Sequence, residues 1–350
     1  MPKSLVLVVG AGASSEVNLP VGSRLRDRIA DVLEIRYEHS HRRMSGDGTI
    51  DEAFRILARE RDSARVDINP FLHACWRIRD AMPQSISIDN FIDSHRNDDL
   101  ITVCGKLAIA RCILAAESQS ALYINPRGDN RKINFKNLQD TWFNSFFQLL
   151  HENCAEDDIR ERCSKVAIVC FNYDRCIEHY LHGALQNYYG MTAEKATAVM
   201  ANLSIYHPYG TVGQLPWQSP PAGTDYGAEP GARLLIDLAR GVRTFTEGID
   251  PANSSILDIQ KTLAEADRLA FIGFAFHQLN LQLLFPGLAN GEKAKHRPTY
   301  LTSFGISNGD LGVIRRELGN LGAIYDPEFY PIDKKATELF GEFRRSLALQ

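Results

Sequence analysis

Residues 4–9, SLVLVV, form an unbroken apolar, β-branched run of strand length, the pattern of a strand buried on both faces of a parallel sheet. Glycines follow at once. From Leu25 the period turns helical, with Leu25, Ile29, Val32 and Leu33 on one face and Arg26, Asp27, Arg28, Asp31 and Glu34 between them. Amphipathic segments near 50–62, 70–81, 89–117 and 137–151 continue that period, separated by polar loops around 39–49, 63–69, 83–88 and 123–134. Residues from about 25 to 164 therefore read as a helical insertion after the first strand and helix. Strand and helix alternate again over 165–350: KVAIVCF (165–171), a helix over 174–185, SIYHPY (204–209), a helix near 254–265, RLAFIGF (268–274), PTYLTS (298–303), a helix at 308–318 and AIYDP (323–327). A stretch rich in Gly and Pro, 212–232, interrupts the alternation.

Strands joined by helices predict an α/β fold, a Rossmann-like doubly wound parallel sheet, because each crossover must lie over a sheet face with one handedness. The composition fits one large core: 350 residues, 44% hydrophobic and 23% charged. With 39 basic against 43 acidic side chains the net charge is -4, so no global basic field points to nucleic acid or a membrane surface. Segment 24–79 carries twelve Arg but also ten Asp or Glu, the pattern of a salt-bridged, solvated face. The longest apolar runs fall well short of the roughly 18 to 20 residues of a membrane span. MPKSLVLVVGAGASS lacks a signal-type apolar stretch, which predicts a cytoplasmic start. Seven cysteines (75, 104, 112, 154, 163, 170, 176) without a CxxC predict neither a disulfide framework nor a zinc module, and no metal is expected. His39 and His41 fall in a polar stretch read as loop, and the aromatics of WFNSFF (142–147) at helical spacing read as core.

In a doubly wound sheet, ligands bind at the carboxyl ends of the strands, so whatever follows each strand is a candidate. The first is followed by Gly10, Ala11, Gly12, Ala13, Ser14 and Ser15, where glycines allow close backbone approach and a helix start favours a pyrophosphate; a plain tight turn is the alternative. There is no Walker lysine. KVAIVCF is followed by Asn172, Tyr173 and Asp174, and SIY by His207, Pro208, Tyr209, Gly210 and Thr211. Asn172 and Asp174 could each cap the next helix, and His207 could be a core histidine. Gly273 ends another strand.

Taken in order, these elements resemble a known family. GAGASSEVNLP (10–20) is similar to a GAGxSxxxGxP opening, with Asn18 at the glycine position before Leu19-Pro20. FNYD (171–174) resembles a T-x-N-x-D motif with Phe171 in place of Thr, YHPYGT (206–211) an HG-containing strand end, and FIGFAFHQLN (271–280) an IGySfxDxN element in which His277-Gln278 stands where members often have a polar-Asp pair. Together they resemble the sirtuin-like NAD-consuming effectors of bacterial antiphage defence, standalone type, with one such domain over 1–350. The resemblance implies an NAD+ glycohydrolase that releases nicotinamide and ADP-ribose and depletes the infected cell of NAD. Within it Asn172 would position water and ribose, His207 would bind the ribose hydroxyls or act as general base, and Asp174 would support them. Gly10, Ala11, Gly12, Ala13 and Ser14 would take the pyrophosphate on backbone N–H groups, Thr211, Gly273 and Phe274 would flank the adenosine half, and Pro20 and Gly210 would complete the dinucleotide-binding set. The missing four-cysteine module argues against peptide deacylation. Alternatives are a subunit that senses NAD or an ADP-ribose derivative, and a nuclease subunit acting with a partner ATPase. A toxic NADase without an appended sensor implies homo-oligomerisation and control in trans by a separately encoded partner, such as a HerA-type ATPase.

Overall fold

The computed structural model describes residues 3–39, 42–128, 132–248, 254–287, 296–324 and 326–349. His41, residues 129–131 of the polar 123–134 segment, and Tyr325 of the expected strand 323–327 lie outside the described residues.

Six strands make one all-parallel sheet: β1 (Leu5–Val9), β4 (Val166–Cys170), β5 (Ser204–Tyr206), β6 (Leu269–Ile272), β7 (Thr299–Thr302) and β8 (Phe329–Ile332), in the spatial order β5-β4-β1-β6-β7-β8. Counted in chain order within this sheet, that is the 3-2-1-4-5-6 arrangement of a Rossmann-like fold. The unbroken apolar runs are explained at once, because β1, β4 and β6 are buried along their whole length. Alternate residues feed two cores. Val6, Val8, Ala167, Val169 and Phe271 face the helices Gly22–Leu33, Gly48–Arg61, Asn69–Ala81, Asp99–Ser118 and Ala232–Arg240. Leu5, Leu7, Ile168, Cys170 and Ile272 face Trp142–His151, Cys176–Tyr189 and Ala193–Met200. Trp142, Phe143, Phe146 and Phe147 are all buried there, so the WFNSFF aromatics are core.

Side-chain caps set several helix starts. Asp47 accepts from the Thr49 and Ile50 N–H groups, and Asp98 from those of Leu100 and Ile101. The expected helix over 89–117 is two helices, Ile88–Ser94 and Asp99–Ser118, broken where Asp98 caps the second.

Three expectations are corrected. The segment read as loop over 39–49 contributes to an antiparallel hairpin, β2 (Arg36–Glu38) with β3 (Arg42–Ser45), so the insertion is not wholly helical. Its strands are three and four residues long and mostly exposed, too short for alternation to register. The last strand is Phe329–Ile332 rather than 323–327: buried Arg297 donates to the Ala323 carbonyl through Nε (3.3 Å) and Nη2 (3.1 Å), which takes the acceptor a strand would use. The 212–232 segment leads directly into a helix, Ala232–Arg240, that the Gly and Pro content obscured. Among the described residues no helix is long and apolar enough to cross a membrane. Arg36, Arg42, Arg55, Arg77 and Arg79 of the Arg-rich segment all lie in ion pairs.

Candidate active site

Register brings the strand ends together. Val9 pairs with Cys170 on one side and Ile272 on the other, so Gly10, Phe171 and Gly273 leave the sheet at one level. Val169 pairs with Tyr206, which sets His207 beside Cys170. The order of strands reverses between β1 and β6, and a doubly wound sheet opens its ligand crevice at that point.

The glycines there serve close backbone contact. Gly10 N–H donates to the Ile272 carbonyl at 3.0 Å and Gly12 N–H to the Gly273 carbonyl at 3.0 Å. A Cβ on Gly10 would sit 2.5 Å from the Gly273 oxygen; one on Gly273, whose φ is +56°, would sit 2.0 Å from the Ala13 nitrogen. Ala13 N–H turns back to the Gly10 carbonyl. Of the five residues expected to cradle a pyrophosphate, Gly10, Gly12 and Ala13 thus spend their N–H groups inside the protein. Asn18, at the family's glycine position, has φ +71°, a left-handed conformation that Asn tolerates better than most residues. Leu19 and Pro20 behind it are buried.

Asn172 does not cap the next helix. Its Nδ2 donates to the Gly10 carbonyl (3.2 Å) and to Ser14 Oγ (2.9 Å), and the side chain is buried. Asp174 lies one residue before the N-cap, Arg175: its Oδ1 accepts from Cys176 N–H at 3.2 Å, and the helix begins at Cys176 rather than 174. Burial pushes the Asp174 carboxyl above its usual range, while hydrogen bonds from Cys176 and Ser14 draw it partly back. Asn172 and Ser14 therefore join the β1 and β4 exits by a hydrogen bond, with Asp174 buried two residues beyond Asn172.

His207 is tied in from the third strand. Nδ1 lies 3.0 Å from the Asn172 carbonyl oxygen and Nε2 2.8 Å from Glu178 Oε1. Nδ1 donates to the Asn172 carbonyl, which can only accept, and Nε2 shares a proton with the Glu178 carboxyl. Burial is the largest influence on the imidazole and would lower its pKa; Glu178 and Cys170 together outweigh burial and lift it well above the ordinary 6.5. Burial would raise Glu178, but His207, a backbone hydrogen bond and Arg175 together outweigh it and the carboxyl is lowered from the ordinary 4.5. His207, expected to bind the ribose hydroxyls or act as general base, is thus held between the Asn172 backbone and Glu178.

Sequence reasoning missed the anchors of this site. Glu178 was legible only as an acidic residue in the first turn of a helix. The fully buried Glu117 was visible as a carboxylate inside the apolar run IARCILAAES. It receives Arg175 Nε (3.1 Å) and Nη2 (2.5 Å) and the Gly227 N–H (2.9 Å), while Arg175 Nη1 and Nη2 hold the Thr224 and Asp225 carbonyls at 2.6 and 3.0 Å.

The remaining expected residues divide between two places. Phe274 is buried against Phe171 (5.1 Å between ring centres) and Phe271, and acts as core. Gly210 and Thr211 line a cavity of about 420 Å³ with Glu178 and His207, beside the edge strand β5. Gly210 has φ +71°, and a Cβ there would meet the Gly241 carbonyl at 1.9 Å. Among the described residues no group of three or more His, Cys, Asp or Glu side chains is arranged to hold a metal ion. In comparisons with known proteins, no protein-family model matches the chain and no curated protein matches its sequence.

Proposed function

We propose that this chain is an NAD+ glycohydrolase acting at the β1, β4 and β6 exits. The observation that carries the reading is that Asn172, bonded to Ser14 from the β1 side, and the buried Asp174 lie together at the end of β4, with Asn172 braced by His207 from the next strand over. Cleaving the bond between nicotinamide and ribose develops positive charge at the ribose C1′ while a neutral base departs. Such a step needs positioning, exclusion of bulk water and nearby negative charge more than it needs an acid. Asn172 supplies an amide for the ribose and the attacking water. Asp174 supplies a carboxylate in a buried setting, where its field acts on C1′ with little screening. His207 and Glu178 form a pair of no net charge that holds Asn172 in place without adding a cation that would oppose the one at C1′.

In this reading water attacks C1′, the C–N bond breaks with its electron pair going to the nicotinamide nitrogen, and the proton from water passes to solvent. The products are nicotinamide and ADP-ribose. The protein's place in antiphage defence, acting through NAD depletion, belongs to the same proposal, as do its homo-oligomerisation and its control by a separately encoded ATPase of the HerA type.

Incubating the purified chain with NAD and resolving nicotinamide, ADP-ribose and cyclic products by chromatography tests it. Asn172→Ala should lower turnover by about 100-fold or more with the fold intact by circular dichroism. An equally active Asn172→Ala protein would remove the assignment. NAD that is bound but left intact, with and without the neighbouring gene product, would favour a sensing subunit instead.

A further inference from the structure

The pole of the sheet away from Asn172 carries two adjoining cavities. Arg162, in the helix that leads into β4, lines the first. Arg268, one residue before β6, donates to the Ser346 carbonyl at 2.7 Å and the Ala348 carbonyl at 3.0 Å and so fixes the C-terminal turn on its rim. Both positions lie at amino ends of strands, opposite the carboxyl ends of the proposed hydrolase site. This cavity, about 600 Å³, is lined by Arg162, Arg344 and Arg345 with a single carboxylate, Glu152. Its guanidinium groups are poorly paired. Arg344 Nη2 is 3.7 Å from Glu152 Oε1, Arg162 Nη1 is 3.4 Å from the Glu152 carbonyl oxygen, and Arg345 has no partner among the described residues. Arg77, Arg111 and Arg175, by contrast, each meet a carboxylate within 2.7 Å. Three positive groups against one negative in a single concavity, on a chain of net charge -4, ask for an anion.

The second cavity, about 490 Å³, shares Glu152 and Arg344 with the first and is walled by aromatic rings. His151 lies flat on Tyr188, with ring centres 4.0 Å apart and planes 27° apart, and Phe147 and Tyr189 meet Tyr188 edge to face at 5.7 and 4.9 Å. Burial, reinforced by the Arg344 charge, holds His151 below its ordinary 6.5, so the ring that supports Tyr188 is uncharged at neutral pH. Tyr188 is nonetheless 55% exposed. An aromatic ring braced by three others yet open to solvent is a stacking platform for a flat ligand. Asn187 beside it has a side-chain amide with no partner among the described residues. Along the two cavities the order is therefore aromatic platform, carboxylate, guanidinium groups. Base, ribose and phosphate follow one another in the same order in a nucleotide.

We infer that this pole binds a nucleotide carrying two or more phosphates: the base stacks on Tyr188 beside Asn187, the ribose hydroxyls donate to Glu152, and the phosphates accept from Arg162, Arg344 and Arg345. The ribose and phosphate contacts are charge-assisted, the stronger class of hydrogen bond. A bare anion would leave the platform empty and a bare nucleoside would leave the arginines unpaired, so the two cavities together select the whole nucleotide. None of these residues belongs to the strand-end site, and the inference does not rest on the hydrolase reading.

Calorimetric titration of the full chain with ADP, and separately with adenosine and with inorganic pyrophosphate, tests it. ADP should bind at least about ten-fold more tightly than either fragment, because it engages both cavities at once. Arg345→Gln should weaken ADP and pyrophosphate about ten-fold and leave adenosine unchanged, the scale of one charge-assisted hydrogen bond. Tyr188→Ala should weaken ADP and adenosine about five-fold or more and leave pyrophosphate unchanged, the scale of one stacked base. Failure of ADP to bind at about 5 mM, pyrophosphate binding as tightly as ADP, or ADP binding undiminished in both variants would each overturn the site. The comparison of the three ligands needs no variant, so a poorly folding mutant does not blunt it. NAD turnover together with ADP binding that neither variant weakens would remove this site and leave the hydrolase; ADP binding weakened by both variants, without turnover, would do the reverse.

Discussion

Gly273 shows how much a single position carries. Its φ of +56° and the 2.0 Å approach of a virtual Cβ to Ala13 mean that Gly273→Ala must both strain the backbone and push β1 and β6 apart at their exits. We expect a loss of about 3 kcal/mol or more by denaturant unfolding, whereas Gly22→Ala, at a helical position with nothing within 4 Å, should be neutral or slightly stabilising. Equal effects of the two would contradict the close approach. The His207–Glu178 pair makes a prediction in pH. A raised His207 pKa contributes stability that is complete below the ordinary 6.5 and fades as pH rises through the raised value; a lowered Glu178 pKa contributes stability that is complete above the ordinary 4.5 and fades as pH falls through the lowered value. Between roughly pH 4.5 and 6.5 both contributions are whole. The melting temperature of wild type minus that of His207→Gln should therefore be greatest in that window and shrink on the alkaline side; a difference flat with pH would dismiss the ion pair.

Among the elements, the junction at Arg175 is decisive. One guanidinium and one carboxylate, both essentially without solvent contact, join the long insertion helix Asp99–Ser118, the start of helix Cys176–Tyr189 and the 224–227 part of the Gly- and Pro-rich segment. Removing one partner strands a buried charge, so Glu117→Ala should cost about 3–5 kcal/mol. Hydrogen exchange at residues 224–227 should accelerate ahead of global unfolding in that variant; unchanged exchange there would show that the segment is held by other contacts. The same junction shows why sequence patterns stop short. Periodicity located the helix containing Glu117 and the helix after β4, since each has a continuous apolar face. Nothing in either stretch announces that Glu117 and Arg175, 58 residues apart, meet. The short β2–β3 hairpin and the helix Ala232–Arg240 escaped for a local reason: three- and four-residue strands hold no readable period, and a run of Gly and Pro masked the helix that follows it.

At the scale of the whole molecule, the insertion and the sheet share a core. Val6, Val8 and Phe271 of the sheet belong to the same buried cluster as Ile50, Phe54, Phe71, Ile78 and Leu107 of the insertion. A calorimetric scan should therefore show one transition whose van't Hoff and calorimetric enthalpies agree; a resolved second peak would separate the insertion from the sheet as a unit of its own. The functional proposal adds an assembly. Light scattering after gel filtration should find a homo-oligomer, and a monomer at every concentration would end that part of it.

What the sequence determined by itself is the set of elements that obey a period: the buried strands Leu5–Val9, Val166–Cys170 and Leu269–Ile272, the major helices, and the parallel α/β class that their alternation requires. It also placed Asn172, Asp174 and His207 at strand ends, because a strand's end is a local event. The tertiary structure alone decided their states. Strand register brought Asn172 against Gly10 and Ser14 from the first strand. Glu178, 29 residues away in sequence, supplied the carboxyl that holds His207 Nε2. Packing left Glu178 Oε2 and Trp217 Nε1 buried without a hydrogen-bond partner among the described residues. Periodicity reports which face of an element is dry; which polar atoms meet in that dry space depends on distances that folding sets.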